Sequence, residues 1–63
     1  LVMALETNTI DDGIKLMADN NIRHLPVISA AGRVIGFVSI MELIMAKMLD
    51  DTNFSRETRL ATV

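Results

Sequence analysis

Two apolar runs, residues 24–29 and 33–38, stand on either side of the short break Ala30-Ala31-Gly32. Val, Ile and Leu dominate both, and a Gly-containing break of this length between such runs is the pattern of a tight antiparallel hairpin. Neither run alternates cleanly, because Leu25, Pro26, Val27 and Ile28 are consecutive, as are Val34 and Ile35. Strands of that kind have apolar surface against both faces, so the sheet is expected to be an interior layer. The second run leads directly into Ser39-Ile40-Met41-Glu42, where a hydroxyl and a carboxylate stand at the spacing of a capping box. A helix is expected to start at Ser39.

That helix sets the second constraint. Ile40, Met41, Leu43, Ile44, Met45, Ala46, Met48 and Leu49 surround it with apolar groups, and only Glu42 and Lys47 are charged. A helix that is apolar all round has to be buried all round. One side can lie on the sheet, but a chain of 63 residues has no further layer to cover the other. A partner is expected there, touching Ile40, Met41, Ile44, Met45 and Met48, and the unbranched thioethers suit a surface that must adapt to a facing helix. So short a chain hides only about 60% of the surface its unfolded form exposes. With no Cys and one His it can form neither a disulfide nor a structural zinc site, which leaves association as the staple. A homodimer is the simplest form.

Before the hairpin, residues 1–5 read as a strand, and Glu6-Thr7-Asn8-Thr9 as a turn leading into a helix. Asn8 or Thr9 caps it, Asp11 and Asp12 put negative charge at its positive end, and Ile10, Ile14, Met17 and Ala18 share a face. Lys15 and Asp19 point outward. Gly13 is read as letting this helix approach the sheet closely, and Asn20-Asn21 as the left-handed exit. The whole is an α/β (α+β) arrangement, strand, helix, strand, strand, helix: a small three-stranded sheet with two helices packed on it. Residues 50–63 read as a tail or linker in which Ser55 caps a short helix and Phe54, Leu60 and Val63 are the large apolar groups.

A net charge of -2 without clustered Lys and Arg argues against nucleic-acid binding, and no apolar stretch is long enough for direct membrane insertion. With no secretory signal, the chain is expected to be cytoplasmic, and a first residue that is not Met suggests a segment of something longer. No paired carboxylates, nucleophile set or Gly-rich phosphate loop stands out, so neither catalysis nor a metal site is expected.

The order of elements, with Ile22-Arg-His-Leu-Pro-Val27 and Gly36-Phe-Val-Ser-Ile-Met-Glu-Leu43, resembles the CBS domain, the cystathionine beta-synthase motif, over residues 1–49. The resemblance implies that the chain pairs with a second CBS motif, through sheets and helices, into a Bateman module with clefts between the two. Such modules often bind AMP, ADP, ATP or S-adenosylmethionine and regulate an attached enzyme, channel or transporter without catalysis of their own; no cofactor is required. Carried over by position, the cleft takes Val2, Ile22, Arg23, Pro26, Ser39 and Glu42. Val2 and Ile22 suit adenine walls, Arg23 and the nearby His24 suit phosphate, and the helix start at Ser39 offers free N–H groups. The family usually has Asp where this chain has Glu42, which sets a ribose acceptor one methylene further out. Ser39 and Glu42 serve equally well as a helix cap alone, His24 as a strand-end histidine and Arg23 as a solvated cation. Two alternatives stand beside ligand sensing: a structural dimerisation module with a vestigial cleft, and a fragment of a larger CBS-containing enzyme or transporter.

Overall fold

The computed structural model describes residues 2–53 and 59–60, with the backbone alone for 50–53. The expectations for Leu1, Phe54, Ser55 and Val63 lie outside the described residues. The elements are β1 (Ala4–Leu5), α1 (Ile10–Asn20), β2 (His24–Ile28), β3 (Val34–Ser39) and α2 (Ile40–Asn53). They form one three-stranded sheet in the order β1-β2-β3, with β1 parallel and β3 antiparallel to β2.

β1 is shorter than the expected strand. It pairs Ala4 with Val27 and Leu5 with Ile28, the Glu6 N–H donates to the Ile28 carbonyl at 2.9 Å, and the Leu5 N–H donates to the Asn8 side-chain oxygen at 2.7 Å. Asn8 therefore closes the turn, and Thr9 is the cap of α1. The Thr9 hydroxyl accepts from the Asp12 N–H, and the Asp12 carboxylate accepts from the Thr9 N–H, both at 3.0 Å. Asp12, expected only to complement the helix dipole, is the reciprocal half of a capping box. At the far end Asn21 takes the left-handed conformation (φ 54°, ψ 45°), as its side chain predicts.

The buried stripe of α1 is Ile10, Gly13 and Met17, whereas Ala18 is exposed. The stripe is rotated from the expected face because α1 packs chiefly on α2. Gly13 does mark a close approach, but to α2 and not to the sheet: a Cβ placed there would lie 2.8 Å from Leu43 Cδ1 and 3.5 Å from a Leu60 methyl. The Lys47 ammonium on α2 pairs with Asp11 on α1 beside that contact.

In the hairpin Gly32 sits at φ +82°, which only glycine adopts without strain, and the Gly32 N–H donates to the Ser29 carbonyl at 2.9 Å. Val27 pairs with Gly36 but Ile28 with Val34, so one extra residue bulges from β3. Leu25, Val27 and Val38 face the helices and join Ala4, Ile10, Met17, Leu43 and Leu60 in the core. Within this chain the sheet is not an interior layer: both helices cover the same face, and on the other Val34 and Ile35 are each 54% exposed and Phe37 69%. α2 begins with the expected box, the Ser39 N–H donating to Glu42 at 3.0 Å and the Glu42 N–H to the Ser39 hydroxyl at 3.2 Å. It runs past Leu49 to Asn53, because the polar residues there include no Gly or Pro to break it. After it, Leu60 is buried and its N–H donates to the Asn8 carbonyl at 2.9 Å.

Candidate functional site

The left-handed turn at Asn21 sends the chain from α1 into β2, and His24 at the first position of β2 pairs with Ser39 at the last of β3. The Ile40 N–H then donates to the Arg23 carbonyl at 2.9 Å, which fixes the start of α2 beside the exit from α1. Between them lies an open groove of about 680 Å³ lined by Met17, Ala18, Asn21, Ile22, Arg23, His24, Ser39, Ile40 and Met41. Its lining is mostly apolar, its charged side chain is Arg23, with the His24 imidazole beside it in sequence, and no carboxylate lines it. In a chain of net charge -2 that is a local excess of cation, suited to a ligand with an apolar ring and an anionic end.

Of the residues carried over from the family pattern, the groove gathers Ile22, Arg23, His24 and Ser39. Val2, Pro26 and Glu42 are not among its lining. Val2 is half-buried against the core, Pro26 lies opposite Phe37 on the uncovered sheet face, and the Glu42 carboxylate is turned onto the Ser39 N–H. The free amides expected at the start of α2 are mostly taken. Ser39, Ile40 and Glu42 donate to Glu42, Arg23 and Ser39 respectively, so only Met41 in that turn has an N–H outside these three bonds. Met17, Ala18 and Asn21 join the groove without a sequence signal of their own, since what puts them there is the Arg23–Ile40 contact between distant segments.

Of the expected contact residues, Met41, Ile44, Met45 and Met48 share an exposed stripe with Leu49, while Ile40 turns toward the core. One other hollow, of about 440 Å³ by Met3, Leu5 and Leu16, has Asp12 on its rim, already engaged in the cap of α1. Among the described residues no three His, Cys, Asp or Glu side chains converge as a metal site, and no helix is long and apolar enough to cross a membrane.

Residues 1–49 match the profile of the CBS domain. An uncharacterized protein of Methanocaldococcus jannaschii is 44% identical over 46 residues, 73% of this chain and 27% of that protein. Among solved structures, a Vibrio cholerae protein named for acetoin utilization (AcuB) superposes with a TM-score of 0.78 at 34% identity, over 94% of this chain and 42% of its own. Hypoxic Response Protein I with two coordinated zinc ions gives 0.81 at 14% identity, over 98% of this chain and 51% of that one. The CBS domain of a CBS domain containing membrane protein from Sphaerobacter thermophilus gives 0.71 at 17% identity, over 100% and 51%. At those last two identities the likeness is one of fold. The chain spans 27% of the curated relative and 42–51% of these structures.

Proposed function

Because this chain belongs to the CBS domain family, we propose that it is a regulatory, non-catalytic module that pairs with a second copy of itself and senses an adenosine ligand in the groove between α1 and α2. It acts in the cytoplasm, and a longer protein carrying it reads the pairing geometry as the ligand orders the groove. The observation that carries the ligand reading is the lining itself: mostly apolar groups, with His24, Ser39 and the positive charge of Arg23 among them and no carboxylate. That charge favours AMP, ADP or ATP over S-adenosylmethionine, whose sulfonium is positive. Pairing is supported by the apolar stripe of α2 and by the uncovered sheet face, where Phe37 stands 69% exposed.

Calorimetry with the four ligands tests the sensing reading. Heat is expected with the nucleotides, falling with added salt, and Arg23→Gln is expected to weaken binding about tenfold through the lost charge-assisted contact. No heat with any of the four at millimolar concentration would refute it.

One observation favours pairing without a ligand: Glu42 and most amides of the first turn of α2 are already used in capping. Glu42→Asp separates the two readings, since the Thr9–Asp12 box at α1 has an Asp in the same position of the cap. Nucleotide affinity that appears only in Glu42→Asp marks the native groove as vestigial.

A further inference from the structure

On the exposed side of α2, Met41, Met45 and Met48 follow one another at intervals of four and three residues, so their thioethers form a continuous stripe. They are 61%, 60% and 65% exposed, flanked by Ile44 and Leu49. The chain contains five methionines and no Cys, Trp or Tyr, so oxygen-transfer oxidants have thioethers as their main target. The other two differ: Met3 is 41% exposed, and Met17 is 1% exposed in the core.

We infer that Met41, Met45 and Met48 form an oxidation site through which hydroperoxides set whether two copies pair. The inference rests on the pairing reading above. A sulfur lone pair attacks one oxygen of the hydroperoxide, the S–O bond forms as the O–O bond breaks, and the proton passes to the departing oxygen. Sulfur is oxidised by two electrons to the sulfoxide, and the hydroperoxide is reduced to water or an alcohol. Each sulfoxide replaces an adaptable apolar group by a polar one with no partner in an apolar contact, which opposes association. Separate copies expose the stripe and paired ones cover it, so pairing protects the sulfurs and oxidation traps the separate form. Reduction by a thiol-dependent methionine sulfoxide reductase breaks the S–O bond, releases water and leaves the reductant as a disulfide. The chain has no Cys of its own to interfere.

The test treats the chain with hydrogen peroxide, locates sulfoxides by peptide mass spectrometry and follows association by sedimentation. Sulfoxide is expected at residues 41, 45 and 48 well before Met17, more slowly as protein concentration rises. The dissociation constant is expected to increase by at least about tenfold and to return after treatment with both stereospecific reductases. In the triple variant Met41→Leu, Met45→Leu, Met48→Leu, whatever its own dissociation constant, peroxide is expected to leave that constant unchanged. The native chain before and after reductase carries the result if that variant does not fold. A chain that pairs, is oxidised at all three sites and still pairs unchanged overturns this inference and leaves the pairing reading standing. A chain that never pairs before oxidation overturns that reading and this inference with it.

Discussion

At the scale of single residues, Asp12 carries the clearest electrostatic signature. Hydrogen bonds from the Thr9 backbone and hydroxyl, with smaller help from Asn8 and Arg59, hold its carboxyl below the ordinary 3.8. A depressed acid stabilises the fold fully above its unfolded value, and that stabilisation is lost as pH falls through the folded one. Thr9→Ala is therefore expected to return the Asp12 titration, followed by carboxyl NMR, toward 3.8 and to lower stability at neutral pH by about 1 kcal/mol. An unchanged titration would mean that the box does not govern Asp12. Gly13 opposes two effects of similar size. Alanine gains about 1 kcal/mol of helix propensity, but its methyl would meet the fully buried Leu43 at 2.8 Å, and overpacking costs about 1–3 kcal/mol. Packing is expected to win, with Gly13→Ala destabilising by about 1 kcal/mol in denaturant titration and Gly13→Val by more. A stabilised Gly13→Ala would show that Leu43 moves aside freely. Both residues show what a sequence holds at this scale. That Gly13 marks a close approach was legible from a glycine inside a helix, but the surface it approaches was not, because that depends on how two helices cross.

At the scale of elements, α2 is apolar on opposite sides. Leu43 and Ala46 face the core, and Ile44, Met45 and Met48 face away. Ile44→Glu is expected to leave secondary structure by circular dichroism intact and to abolish association, because an unpaired carboxylate would have to enter an apolar contact. Retained association would move pairing to the uncovered sheet face. The start of α2 was legible because the Ser39–Glu42 box is local chemistry, satisfied by residues three apart. Its end was not. A polar stretch from Asp50 onward looks like an exit, yet four more residues continue the helix since no residue there forbids helical dihedrals. The hairpin was legible for the same local reason, through Gly32 and the apolar runs beside it.

At the scale of the whole molecule, the described residues leave a broad apolar surface on each layer: the outer stripe of α2 and the sheet face with Val34, Ile35 and Phe37. Unbroken apolar runs in β2 and β3 said that both sheet faces need cover. They could not say whose atoms provide it. The groove was half legible for a related reason: Arg23, His24 and Ser39 were identifiable by position, but Met17, Ala18 and Asn21 reach it only because the chain folds α1 against α2. A lone chain of this size with such surfaces is expected to associate. Sedimentation equilibrium of the native chain over a range of concentrations tests this most directly. The average mass is expected to rise from 6.9 kDa toward twice that value as concentration increases, and a mass that stays at 6.9 kDa throughout would contradict the account.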